Sequence, residues 1–183
     1  MAGPLTPEEL DSTCSTPEHK KIRYFVETGT YKADTTLLAA KKYEHVFTTE
    51  IKEDLYETSR KRAQDEGVTN ITFMLGDSVE LLKEITPKVE EGAVFFIDAH
   101  ISGHDSGWNK KQLVPALEEL EVILSHKLGP SVFIVDDLRL WKENAPHDWA
   151  HITNMKIVQK FLDSGHNVTS FYESNDRFFV LTS

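Results

Sequence analysis

The stretch IRYFVETGTYKADTTLLAAKKY, residues 22 to 43, decides the fold. IRYFVE, residues 22 to 27, is a short apolar run, TGTYKAD is a polar junction, and from Thr35 to Tyr43 Leu37, Leu38 and Ala40 recur at helical spacing. That is strand, loop, helix. The same theme returns four times. HVFTTEI, residues 45 to 51, leads into a charged segment from Lys52 to Glu66 in which Leu55, Ser59 and Ala63 share a face and Gly67 supplies the stop. ITFML, residues 71 to 75, is joined by Gly76-Asp77-Ser78 to SVELLKEI. AVFFID, residues 93 to 98, has the unbroken hydrophobicity of a strand covered on both faces, and a helix from about Leu113 to His126 follows its polar loop. SVFIVD, residues 131 to 136, follows a Gly129-Pro130 break. Residues 137 to 150 read as loop, and Ile152 to Leu162 as the last helix, with Met155, Val158 and Phe161 on its apolar side. The end, NVTSFYESNDRFFVLTS, is two alternating runs about a turn at Glu173 to Asp176, a hairpin.

Five such units predict an α/β fold: a doubly wound, mostly parallel seven-stranded sheet with right-handed crossovers, helices on both faces and a reversed last strand. Residues 1 to 21 hold Pro4, Pro7 and Pro17 without a periodic apolar pattern, so an irregular arm is expected before a single domain over 22 to 183. The 183 residues suit one core. Twenty Lys and Arg against 30 Asp and Glu give a net charge of -10, which disfavours nucleic acid as a partner. The lone Cys14, an N-terminus without a basic start or apolar run, and the lack of a membrane-spanning stretch lead to the expectation of a cytoplasmic protein.

Ligands of such sheets bind outside the carboxyl ends of the strands. The first strand ends in Glu27-Thr28-Gly29-Thr30, and a helix begins at Thr35. One glycine there suits a cofactor loop and equally a plain turn, since a dinucleotide fingerprint wants three. Glu50, before Ile51, ends the second strand twenty-one positions after Gly29, the spacing at which a carboxylate accepts from both hydroxyls of a ribose. After the third strand, Asp77 is placed to accept from an exocyclic amine and Ser78 to cap the helix. Asp98 ends the fourth strand, and Asp136 with Asp137 end the fifth. Neighbouring strands would bring the three carboxylates together, where repulsion calls for a cation unless Asp136 or Asp137 only caps a turn and Asp98 bonds a backbone amide; oxygen ligation points to magnesium or calcium, or to a softer metal if His100 and His104 join. His100 is the better placed of two loop histidines to take a proton, ahead of His104, and Trp108, Trp141 and Trp149 are candidate pocket walls.

VETGTYKADTT, Glu50, GDS, FFIDAH and FIVDD together resemble the ordered motifs of class I S-adenosylmethionine-dependent methyltransferases over about residues 22 to 183. Asp98 with Asp136-Asp137 is similar to the divalent-metal O-methyltransferases of the catechol and macrolide-sugar types. The resemblance implies S-adenosylmethionine as cofactor, held by Glu27, Thr28, Gly29, Thr30, Thr35, Glu50, Ile51, Asp77, Ser78 and Asp98. It also implies a magnesium-class ion on Asp98, Asp136 and Asp137. Ala33 stands where such loops often have glycine, and Ile101 where catechol-type enzymes carry a lysine base. His100 and Asp98 are therefore the catalytic candidates. The reading is metal-assisted O-methylation of a small sugar, diol or catechol-like molecule. Alternatives are a cofactor-binding protein without turnover, an NAD-dependent oxidoreductase or a hydroxylase-like enzyme. The short arm and the tryptophans Trp141 and Trp149, taken as exposed, suggest a homodimer.

Overall fold

The computed structural model describes residues 3–14, 16–100, 113–141 and 149–183. After a short N-terminal helix, α1 (Pro7–Ser12), the chain alternates β1 (Tyr24–Thr28), α2 (Asp34–Ala40), β2 (His45–Glu50), α3 (Glu53–Asp65), β3 (Ile71–Leu75), α4 (Ser78–Ile85) and β4 (Ala93–Ile97). It continues with α5 (Ala116–Leu124), β5 (Ser131–Val135), α6 (Asn154–Asp163), β6 (Val168–Ser174) and β7 (Arg177–Thr182). The seven strands lie in the order β3-β2-β1-β4-β5-β7-β6. β1 to β5 are mutually parallel, and β7 runs antiparallel to both β5 and β6. The chain folds into the doubly wound sheet with a reversed last strand that the sequence leads one to expect. Among the described residues no helix is long and apolar enough to cross a membrane.

The sheet separates two cores, because successive strand side chains point to opposite faces. On one side Phe95, Ile97, Phe133 and Val135 pack with residues of α4, α5 and α6, including Leu82, Leu120, Ile123, Ile157 and Phe161. On the other, Phe25, Val94, Phe96, Val132, Ile134 and Phe179 meet Ala39 and Tyr43 near α2, together with Leu5 and Leu10 of the N-terminal segment. β4 and β5 are buried at every position, which is what their unbroken hydrophobicity demands. The hairpin turns through Asn175 and Asp176, both left-handed at φ 48° and 66°, the conformation a tight β-turn of this hand requires.

Three expectations change. Among the described residues before Ile22 the chain forms elements that were not expected: Thr6 and Glu9 form a capping box that starts α1, Pro7 fits its first turn, and a 3-10 turn lies at His19–Lys21. Three prolines hid a helix too short to show periodicity. Met155 is 71% exposed; α6 buries Val158 and Phe161 as expected, with Ile157 in place of Met155. Trp141 and Trp149 are buried, so they supply no exposed apolar face for a second copy.

Candidate functional site

β1 delivers the first part of the site. Gly29 has φ +84°, and a Cβ on it would stand 2.7 Å from the Asp98 carbonyl oxygen and 3.2 Å from Ala99 Cα. Only glycine lets the tails of β1 and β4 approach this closely. The amides of Gly29 and Thr30 both donate to the Thr49 carbonyl at 3.0 Å, fastening the turn to β2. Tyr31 and Ala33 are then left-handed, at φ 48° and 65°, as the chain swings into α2. The left-handed backbone at Ala33 is the physical reason glycine suits that position.

Glu27 is buried beneath this turn and accepts hydrogen bonds from the hydroxyls of Thr36, at 2.5 Å, and Thr48, at 2.7 Å. Burial pushes its carboxyl up to about 7 against the opposing effect of those two bonds. Thr48 and Thr30 hydroxyls lie 2.6 Å apart. Thr35, a candidate for the cofactor, accepts instead the Leu5 amide at 3.1 Å, so its hydroxyl faces the N-terminal segment. Glu50 turns toward the Gly29 loop: it accepts the Tyr31 amide at 2.8 Å and the Lys52 amide at 3.0 Å, and burial raises its carboxyl. Ile51, beside it, is half-buried. Asp77 caps α4 by accepting the Val79 amide at 3.0 Å, and Ser78 is drawn inward to Glu119.

The three carboxylates of the far edge do come together, since β4 and β5 are neighbours and the Asp136 amide donates to the Ile97 carbonyl at 3.1 Å. Basic side chains of the chain face them. Arg177 Nε lies 3.0 Å from Asp136, Arg139 Nη1 lies 2.5 Å from Asp137, and His100 stands between Asp98, 3.3 Å from Nδ1, and Asp137, 2.6 Å from Nε2. Burial, together with Asp136, Asp137 and Glu27, drives Asp98 well above the ordinary carboxylate range. Burial also pushes Asp136 up to about 6 against the pull of Arg177. For Asp137 burial acts upward too, yet His100 and Arg139 hold it down to about 2.

A divalent ion does not fit this arrangement. All three of its expected ligands already face guanidinium or imidazole groups, and among the described residues no group of three His, Cys, Asp or Glu could hold a metal. The charge problem read from sequence was real. Arginines answer it.

Four residues carry weight here without a signal strong enough to single them out in sequence. Arg177 opens a wholly buried strand, where a charge must find partners: it also binds Glu9 and the Gly3 carbonyl, each at 2.5 Å. Arg139 lies in a stretch read only as loop. Thr48 is one threonine among many. Glu119 had the best clue, because Ala116, Leu120 and Ile123 at helical spacing make it an acid on an apolar face. Trp149 packs edge-on against His100, ring centres 4.9 Å apart, and stacks on Trp141 at 5.9 Å, so these tryptophans line the inside of the acidic edge. Ile101, His104 and Trp108 lie outside the described residues.

No protein-family model matches the chain, and no curated protein matches its sequence. Solved structures do. A SAM-dependent methyltransferase from Aquifex aeolicus is similar with TM-score 0.58 at 12% identity, over 87% of this chain and 81% of its own. TomG of Streptomyces achromogenes, an O-methyltransferase involved in tomaymycin synthesis and solved with SAM, gives 0.61 at 14% identity over 97% and 80%. Precorrin 8W decarboxylase of Methanobacterium thermoautotrophicum gives 0.58 at 17% identity over 99% and 91%. The fold is thus that of the SAM-dependent methyltransferases, and at these identities the likeness speaks for the fold alone.

Proposed function

We propose that this chain is an S-adenosylmethionine-dependent methyltransferase acting on a hydroxyl oxygen of a small sugar, diol or catechol-like molecule. The observation that carries the reading is Glu50, whose carboxylate leaves the end of β2 and bends over the Gly29 turn to Tyr31. The amides of Tyr31, Ile51 and Lys52 occupy most of that carboxylate, and a carboxylate's fourth acceptor position is left for a ribose hydroxyl. Gly29, bare of a side chain, lets the turns after β1 and β4 close on each other beside Glu50. Asp77 and Ser78 stand at the start of α4, on the β3 side of Glu50. Neighbours solved with SAM or with SAH support the same choice of cofactor.

Bound S-adenosylmethionine supplies a methyl group made electrophilic by the attached sulfonium. The chain must hold the acceptor oxygen in line with it, and alignment of that kind is worth about 7 to 11 kcal/mol of barrier. It must also take a proton. Asp98, with its carboxyl raised by burial and by its acidic neighbours, is the better base for that change, and His100 at 3.3 Å is its partner. Asp137, held down by His100 and Arg139, stays ionised beside it. No step runs through a divalent ion.

The test is a methyl-transfer assay that follows S-adenosylhomocysteine release with sugars, diols and catechols as acceptors, with and without chelator. Product from a hydroxylated acceptor, unchanged by chelator, supports the reading. Product from amines or thiols alone would overturn O-methylation. Cofactor binding without any product would favour the reading as a binding protein without turnover.

A further inference from the structure

Glu119 has no part in the chemistry above, yet it is fully buried on α5 and reaches into the floor of the crevice. Its Oε1 meets the hydroxyl of Ser78, the first residue of α4, and its Oε2 lies 3.3 Å from Thr28 Oγ1 at the end of β1. Thr28 Oγ1 in turn accepts the Asp98 amide at 3.2 Å. The turns after β1, β3 and β4 carry Gly29, Asp77 and Asp98, and this one carboxyl fastens all three. Among the described residues no cation pairs with it. The charged groups that face it are Asp77, from the turn before α4, and Glu118 on its own helix.

We propose that Glu119 is a positioning residue for the nucleoside end of this site, holding the three turns in register and deciding which way the Ser78 hydroxyl proton points. The inference rests on the cofactor reading given above. Thr28 has one hydroxyl proton, and because its oxygen accepts from Asp98 that proton goes to Glu119. Ser78 has two choices. It donates to an ionised Glu119, or it receives the proton of a neutral one and keeps its own hydrogen for a ligand acceptor. Burial pushes Glu119 up to about 8 against the two hydroxyl bonds, with Asp77 and Glu118 acting in the same direction as burial. Near neutral pH the carboxyl therefore keeps its proton and Ser78 is free to donate. Alkaline pH withdraws that donor and places an uncompensated charge under the site.

Glu119→Gln imitates the neutral form, with an amide N–H for Ser78 and a carbonyl oxygen for Thr28. Glu119→Leu removes both bonds. S-adenosylhomocysteine is titrated calorimetrically into wild type and both variants from about pH 6.5 to 9.5. Wild-type affinity should fall about tenfold as pH rises through 8, the worth of one hydrogen bond; Glu119→Gln should hold its affinity, and Glu119→Leu should bind about tenfold more weakly throughout. A Leu variant that binds like wild type, or a Gln variant with the same alkaline loss, overturns the proposal.

Thermal unfolding gives a readout that needs no cofactor and no Leu variant. A carboxyl raised in the folded state gives stability below the ordinary carboxyl range and loses it as pH rises through the folded value. Glu119→Gln should therefore gain in Tm over wild type between about pH 5 and 8. That gain without S-adenosylhomocysteine binding at any pH contradicts the cofactor reading and leaves the tie between turns standing; an unchanging Tm difference contradicts the tie itself.

Discussion

Gly29 is the position at which one methyl group would do most damage. Left-handed backbone alone costs a non-glycine residue about 1 to 2 kcal/mol, and the Cβ would also collide with the Asp98 carbonyl at 2.7 Å. Gly29→Ala should lose at least that much stability in chemical denaturation and move Asp98 with it. Two buried acids set opposite pH dependences. Glu27, raised to about 7, contributes stability that is present below the ordinary carboxyl range and lost as pH rises through 7, so Glu27→Gln should flatten that limb of the unfolding profile. Asp137, held at about 2, contributes stability present above the ordinary range and lost as pH falls through 2; Asp137→Asn should make the protein less sensitive to acid. The residues that sequence could rank were those at strand ends, because alternation and strand length fix where a strand stops. Which oxygen faces which hydroxyl was beyond it. Glu27 finds Thr36 and Thr48 across 9 and 21 positions, contacts that depend on where α2 packs and on the register of β1 with β2.

Strand and helix assignments survive folding well here because short apolar runs alternate regularly with helical spacing and the sheet buries both faces of its central strands. The N-terminal segment does not follow that logic. α1 spans Pro7–Ser12, less than two full turns, so its signal is a capping box and not a period. Its hold on the domain is polar as well as apolar: Arg177 joins Glu9 to Asp136, and Leu5 and Leu10 close the second core. Breaking a buried ion pair from one side strands the other charge, so Arg177→Met should cost about 3 to 5 kcal/mol by urea denaturation. Leu10→Ala should cost about 2 to 5 kcal/mol, as for a leucine in any packed core. On α6 the contrast is sharper still. Phe161→Ala should cost about 3 to 5 kcal/mol, whereas Met155→Ala, at a residue 71% exposed, should fall within about 0.5 kcal/mol. Equal Tm losses for that pair would contradict the helix orientation.

The sheet order brings side chains from Glu27 to Arg177 to one rim, with the cofactor-loop candidates over β1 and β2 and the acidic edge over β4 and β5. The sequence could anticipate that convergence, because parallel strands joined by crossovers must end on the same side. It could not supply the counter-charges, since Arg139 and Arg177 come from a turn and from the reversed strand, whose neighbours depend on the final hairpin inserting β7 beside β5. An acidic rim neutralised from within is what separates this molecule from the metal-centred version that its motifs first suggest. The account stands or falls on where a nucleoside lies. In a crystal grown with S-adenosylhomocysteine, the ribose hydroxyls should sit within about 3 Å of the Glu50 carboxylate and the backbone of Gly29. A ligand bound elsewhere, or a Glu50 carboxylate turned away from an occupied crevice, would contradict it.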